Sequence, residues 1–330
     1  ARRESDTFIL SGAEDLVPEG EEDGAGGWVM DGDEHVVFDK PYSVEGADYR
    51  VRRYRPRVEG LFARIERWTR ADGDVHWRSI SRDNTLTIYG NDTTARIADP
   101  ADGRRVFSWL ISETRDDKGN AVVYEYKQDD GVGAKLTQLH ERNRGPLNDP
   151  RRRVNRYLKR ILYGNRAPLL DGAGQRLHFL TPAALNGASW MFEIVFDYDD
   201  HDLAHPAPRD DEARNAAGAL LHPWAFRQDP FSTYRPGFEL RTTRLCQRVL
   251  MFHHFPGEPG VGADCLVHST EFTYSYEQNP NDARNPIYSF LRSASHTGYQ
   301  RAGGGYRPKS LPPVEFVYTE PVIQAAVEEV

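Results

Sequence analysis

The chain has 330 residues, enough to bury a large core and to hold more than one domain. Its 42 basic and 50 acidic side chains leave a formal net charge of −8, which argues against the basic field of a nucleic-acid binder. There is no apolar run long enough for a membrane span, and the opening ARRESDTFIL lacks the charged, apolar, small-residue order of a secretory leader.

The first element in chain order is EGEEDGAGGWVMDGDEH (19–35), acidic and glycine-rich, which reads as a mobile loop. Four short alternating runs follow closely: YRVRRYRPR (49–57), GLFARIERWT (60–69), VHWRSIS (75–81) and TLTIYG (85–90). Next comes FSWLISETRDDKGNAVVYEYK (107–127). Phe107, Trp109 and Ile111 alternate, as do Val122, Tyr124 and Tyr126, and Asp117-Lys118-Gly119-Asn120 lies between them. Period two on both sides of a Gly-Asn turn predicts a hairpin pairing 107–115 with 121–127, with Trp109 and Tyr124 in the core.

The basic stretch DPRRRVNRYLKR (149–160) reads as a solvated entrance to the strand RYLKRILYGN (156–165). SWMFEIVFDYDD (189–200) predicts another strand. The segment 201–230 is long, mixed in charge and without a clear period. It reads as an irregular insertion and contact surface, with a short helical turn in DDEARNAAGALL. Strands resume in FELRTTRLCQRVLMFHHF (238–255), LVHSTEFTYSYE (266–277), SFLRSASHTGYQ (289–300) and PPVEFVYT (312–319). The expected fold is all-β: antiparallel hairpins and meanders in a large curved sheet or β-sandwich-like assembly, with few short helices.

Two cysteines do not make a disulfide framework. A hairpin centred near Pro259 would set Cys265 opposite His253 and Cys246 opposite Phe272, so both thiols are expected free.

Residues that carry chemistry are sparse. No nucleophile elbow, P-loop, dinucleotide fingerprint or zinc-protease motif is present. Asp116/Asp117 and Asp199/Asp200 sit at predicted turns, where Asp is expected for backbone reasons. Asp31, Asp33 and Glu34 have a hint of calcium-loop spacing, but no glutamate stands at the twelfth place. His253 and His254 are neighbours on a strand and point to opposite faces, which suits packing and hydrogen bonding rather than a shared metal. No residue is assigned as catalytic, cofactor-binding or metal-ligating, and no cofactor is expected.

A longer resemblance runs through DTFILSGAEDLVP (6–18), RYRPRVEGLFARIERW (53–68), WRSISRDNTLTIYG (77–90), ARIADP (95–100), VFSWLISETRDDKGNAVVYEYK (106–127), RYLKRILYGN (156–165) and LPPVEFVYTEP (311–321). In order, these pieces resemble the SpvB-type N-terminal domain found in the B subunits of tripartite insecticidal (Tc) toxin complexes and in the SpvB virulence protein. The resemblance makes 1–330 one SpvB-like β domain. It implies a non-catalytic structural part of a toxin-complex B subunit, within a β-rich shell that encloses a cytotoxic effector.

The implied partners are a C subunit with Rhs/YD repeats and, through a downstream propeller, a pore-forming A subunit. The implied location is outside the cell, after synthesis and folding in the bacterial cytoplasm. The family domain begins well before SGAEDLVP and continues into a propeller, so the chain reads as a piece of a longer polypeptide.

Two other readings stay open. One is the N-terminal delivery domain of an SpvB-like ADP-ribosyltransferase toxin. Its transferase signature is absent here: the single Glu-x-Glu is Glu19/Glu21, and Ser232-Thr233 and Ser269-Thr270 lack a third serine. The other is a carbohydrate- or surface-binding β module, for which the 16 tyrosines and 6 tryptophans could stack on sugars.

Overall fold

The computed structural model describes residues 7–10, 15–32, 34–60, 62–275 and 289–319. They form predominantly antiparallel strands, and the α-helices among the described residues, Leu139–Arg142 and Pro182–Gly187, are short. The all-β expectation holds. The chain divides into two compact units, one of residues 1–125 with 163–189 and the other of 126–162 with 190–330.

In the first unit the strands run in the order Phe8–Ile9, Asp15–Pro18, Ala47–Pro56, Arg64–Arg70, Val75–Ile80, Leu86–Tyr89, Ile111–Arg115 and the start of Ala121–Gln128. Asp39–Val44 joins Ala47–Pro56 as a hairpin. Both faces of this sheet are covered. Tyr54 opposite Ile65 packs with Leu16 and Trp77 on one face; Val51 opposite Trp68 packs with Val44 on the other. Residues are therefore buried on both sides, polar ones included. Glu66 falls on the Trp68 face and survives there because the indole Nε1 donates to its Oε2 at 3.0 Å. The segment 19–35 carries backbone bridges, with Glu21 N donating to Val36 O and Val29 N to Glu21 O.

The predicted hairpin forms over its inner half. Glu113, Thr114 and Arg115 face Val123, Val122 and Ala121. Asp116 closes the turn by accepting from the N–H groups of Lys118 and Asn120. Gly119 is needed twice over: its φ is +84°, and a Cβ there would lie 2.7 Å from Leu169 N. Asn165, the last residue of RYLKRILYGN, locks the turn from outside by donating to Gly119 O and accepting from Ala121 N.

The outer half departs from expectation. Phe107 and Trp109 belong to a separate ribbon, Asp102–Trp109 on Arg96–Asp99, because Leu110 N turns aside to Ala95 O. Trp109 and Tyr124 are half-buried rather than core. The Trp109 ring lies over Gly90, where a Cβ would approach to 2.4 Å, and its Nε1 donates to Val75 O at 2.9 Å.

In the second unit, residues 156–162 are followed across the sheet by Trp190–Asp197, Arg248–Phe255, Gly262–Tyr274, Leu291–Ala302 and Gly305–Ser310. Val195, Leu250, Phe252 and Leu266 form its main core, with Tyr299 and Tyr306 against it. A second core joins Tyr157, Tyr198 and Trp224. Trp224 comes from the long segment 201–230, so that segment is anchored at Trp224 while much of it stays exposed. Its predicted helical turn is reduced to the 3-10 turn Asp210–Glu212.

Cys265 faces His253 as expected; Phe272 N bonds to Gln247 O, one residue from the Cys246 pairing read from the sequence. Both cysteines are free. Of PPVEFVYT, Val314–Glu315 pairs, against Ser293 and Ala294.

Candidate functional site: a buried charge network

The strand RYLKRILYGN carries Lys159 and Arg160 in the middle of its apolar residues, and both are buried. A cation taken out of water must be paired, and each has a carboxylate waiting. Lys159 Nζ donates to Asp200 Oδ1 at 2.7 Å and to Phe196 O at 2.9 Å. Arg160 binds Asp211 and the Pro208 carbonyl, with Glu193 at 3.4 Å. Lys127 Nζ reaches the second oxygen of Asp200 at 2.8 Å. Arg248 Nε donates to Asp197 Oδ2 at 2.6 Å. His201, also buried, places Nδ1 3.2 Å from Asp200 and 3.4 Å from Asp197. The solvated basic entrance expected at 149–160 is thus corrected: Arg152, Lys159 and Arg160 are interior groups, Arg152 against the buried Glu141.

The turn at Tyr198-Asp199-Asp200 brings these groups together. Asp199 takes φ +68°, a conformation Asp tolerates better than most. Asp200 N then donates to Asp197 Oδ1 at 2.9 Å and Asp200 Oδ1 accepts from Tyr198 N at 3.1 Å. Burial alone would raise the Asp200 carboxyl, but the His201 hydrogen bond and the Lys159 and Lys127 charges outweigh it and hold it below the usual range. Asp197 is held low in the same way, against burial, by His201 and Arg248. For His201, burial opposes protonation, and the two aspartates reverse that and raise it.

The long segment hangs on this network by its backbone. Arg248 donates to the carbonyls of His201, Leu203 and Asp202, and Arg160 to that of Pro208. A second cluster holds the far end. Arg244 donates to Asp129 at 3.1 Å, Asp130 at 2.9 Å and Trp224 O at 3.2 Å, while Trp224 Nε1 donates to Asp130 at 2.8 Å. Lys127 and Arg244 each lie 4.3 Å from the Trp224 ring.

Asp197, Asp200 and His201 offer ligand atoms within 4.8 Å of one another. They do not suit a metal ion. Lys159 and Lys127 occupy both oxygens of Asp200 and Arg248 occupies Asp197, so a divalent ion would have to enter against three fixed positive charges. The arrangement is a charge-neutralised anchor that joins strands to a loop.

The other residues singled out by sequence are scattered. Asp116 caps its turn. His254 bridges Glu193 at 3.1 Å and Asp264 at 2.9 Å, while His253 packs edge-on against Phe192. Ser232 bonds Glu239, Ser269 lies 2.9 Å from the Tyr299 hydroxyl, and Glu21 pairs with Lys40. Asp33 of the calcium-like stretch lies outside the described residues; Asp31 and Glu34 face each other in a two-residue bridge. Sequence reading treated Asp200 as a turn residue and missed its second role. The available signal was the pair Lys159-Arg160 inside an apolar strand, followed by a cluster of acids.

Residues 2–255 match the SpvB family, described as Salmonella virulence plasmid 65kDa B protein, and the chain belongs to that family. The mono(ADP-ribosyl)transferase SpvB of Salmonella typhimurium is 35% identical over 260 residues, which cover 78% of this chain and 39% of that protein. The chain therefore spans well under half the length of the curated relatives it matches.

Among solved structures, the N-terminal domain of effector protein SpvB from Salmonella typhimurium strain LT2 superposes with a TM-score of 0.66 at 32% identity, over 90% of this chain and 82% of that one. A chain of the TcdB2-TccC3-Cdc42 crystal structure gives a TM-score of 0.70 at 26% identity, over 96% of this chain and 13% of that one. A chain of the Photorhabdus luminescens Tc holotoxin pore gives 0.67, also at 26% identity, over 96% of this chain and 13% of its own. The fold is thus one that occurs in virulence and toxin proteins. Among the described residues no helix is long and apolar enough to cross a membrane.

Proposed function

We propose that this chain is a non-catalytic structural domain of a bacterial toxin complex, a scaffold that presents the segment 201–230 as a preformed surface for a protein partner within a longer polypeptide. The observation that carries this reading is the anchoring of that segment. Its carbonyls at 201–203 and 208 and its residues Asp211 and Trp224 are tied to buried charges, Arg160 and Arg248 on strands and Arg244 in the stretch between Leu240–Thr242 and Arg248–Phe255, while Leu203 and Leu221 stay exposed at 82% and 54%. A segment held so firmly loses little entropy when it docks. The carboxylates at its base are consumed by lysine and arginine, which leaves them poorly suited to proton transfer or nucleophilic attack.

Family membership supports a toxin role, and the likeness to chains of the TcdB2-TccC3 assembly supports a place beside a Rhs-repeat C subunit and a pore-forming A subunit. Action outside the producing cell follows from that reading. The test is assembly of the full polypeptide that carries this chain. Leu203→Asp with Leu221→Asp should weaken complex formation with the partner subunits while leaving the melting temperature unchanged. A variant such as Asp199→Asn, His253→Ala or Glu271→Gln that assembles normally yet loses all toxicity would overturn the non-catalytic reading.

A second reading has its own support. In superposition, identity is higher to the SpvB N-terminal domain, at 32%, than to the Tc chains, at 26%, which favours the delivery domain of an ADP-ribosyltransferase toxin. Detection of mono(ADP-ribosyl) transfer to a host protein by the full polypeptide, unaffected by loss of Tc-type partners, would select it.

A further inference from the structure

Eight arginines are buried among the described residues: Arg78, Arg96, Arg115, Arg152, Arg160, Arg241, Arg244 and Arg248. Seven lie at ion-pair distance from a carboxylate: Asp74 for Arg96, Glu113 for Arg115, Glu141 for Arg152 and Arg241, Asp211 for Arg160, Asp129 for Arg244 and Asp197 for Arg248. Arg78 is the exception. It is 4% exposed, its Nη2 is buried with no hydrogen-bond partner, and it has no ion pair among the described residues. A buried guanidinium donor left unmade costs stability and calls for an explanation.

Its surroundings supply one. The guanidinium carbon sits 3.8 Å from the Trp68 ring centre and 4.6 Å from that of Phe179, and Nε donates to His76 Nε2 at 3.1 Å. The rings and the imidazole hold the group in one orientation. Arg78 lines a half-open pocket of about 780 Å³ in the first unit, between the Glu66–Trp68 face of the sheet and the segment 174–178. The other cations there are already engaged. Lys40 is held by Glu21, Arg53 and Arg64 share Glu66, and Arg176 donates to Asn84 O at 2.5 Å. Glu66 is itself committed to Trp68 and Arg64. Burial pulls the Arg78 guanidinium down to about 10, which still leaves it charged at neutral pH.

We propose that this pocket binds a carboxylate carried on an aromatic or aliphatic body, with the carboxylate on Arg78 and the body against Tyr42, Trp68 and Leu177. A guanidinium matches a carboxylate in its own plane. A single guanidinium with an unmade donor suits a monoanion. A dianionic phosphate would meet repulsion from Glu45, Glu66, Asp117 and Asp171, which also line the pocket. The apolar walls give the remainder of the ligand a dry surface. The site is separate from the charge network of the second unit and does not depend on the structural role proposed above.

The test is calorimetric titration of the full chain with 3-phenylpropanoate, its neutral amide, a blocked tripeptide ending in phenylalanine with a free C-terminal carboxylate, and inorganic phosphate. The acid or the tripeptide should bind with Kd of about 1 mM or tighter, and the amide at least about tenfold more weakly. Whichever of the two binds more tightly identifies a free acid or a chain terminus as the source. Arg78→Gln should abolish binding. If that variant does not fold, Tyr42→Ala on the exposed rim decides, with at least about threefold weaker binding expected. Equal binding of acid and amide, phosphate binding as tightly as the acid, no binding at about 10 mM ligand, or unchanged affinity in either folded variant would overturn the proposal.

Discussion

Lys159 Nζ lies 2.7 Å from Asp200 Oδ1, with both side chains almost completely out of water, across 41 positions of sequence. The pair ties a strand to the turn from which the segment 201–230 departs. Removing one partner would leave the other charged and buried, the most damaging way to break such a pair. Asp200→Ala should therefore cost about 3–5 kcal/mol, and Lys159→Met less, because Lys127 still pairs with the second oxygen of Asp200. The double variant Lys159→Met/Asp200→Leu should cost clearly less than their sum, which urea unfolding in a double-mutant cycle would measure. Additive losses would mean that the two charges are not coupled.

Acid should weaken the same anchor. The carboxyls of Asp197 and Asp200 are both held below the ordinary 3.8. A depressed folded value means that the unfolded chain takes up protons first, so the stabilisation is complete above 3.8 and is lost as pH falls through the folded values. His254 works in the opposite direction. Its hydrogen bond to Glu193 raises it above 6.5, so its contribution is full below 6.5 and fades as pH rises through the folded value. Replacing His254 with Asn should flatten the loss of urea stability as pH rises above 6.5. An unchanged slope would assign that loss to another group.

At the hairpin, Gly119→Ala meets both a positive φ and Leu169 N at 2.7 Å. It should destabilise by more than about 1 kcal/mol. Trp77, buried in the core of its unit, should cost about 3–5 kcal/mol on change to Ala. Trp109, half-exposed and packed over Gly90, should cost less than Trp77. Equal losses would mean that Trp109 is core after all.

Both cysteines should resist alkylation in the native protein. Cys265 is buried, and burial pushes the Cys246 thiol up to about 12, so little thiolate is available. In denaturant without reductant, mass measurement should show two labelled thiols. A mass two hydrogens lighter with no label would reveal a disulfide instead.

Chelation should leave the melting temperature unchanged. The acidic cluster Asp197, Asp200 and His201 is neutralised by Lys127, Lys159 and Arg248, so it is not expected to hold an ion that a chelator could withdraw. A drop in melting temperature on chelation, restored by a divalent cation, would contradict the fit argued above.

The strands are written locally, because period-two alternation is a local property and survives without knowledge of neighbours. Ala47–Pro56, Val75–Ile80 and Leu86–Tyr89 were legible in this way. So was the turn at 117–120, whose Gly and Asn carry its geometry in their own backbone and side chain. Long ordered motifs also pointed to the family.

Which charges lie inside depends on long-range packing. In a sheet covered on both faces, alternation no longer separates core from solvent, so Glu66, Arg78, Lys159 and Arg160 look like surface residues in sequence and lie in the interior. Their partners are remote: 41 positions separate Lys159 from Asp200 and 51 separate Arg160 from Asp211. The same cause hides the environment of Trp109 from its local sequence. Its ring is placed by Gly90 and Val75 O on other strands, and no local pattern around Trp109 encodes them.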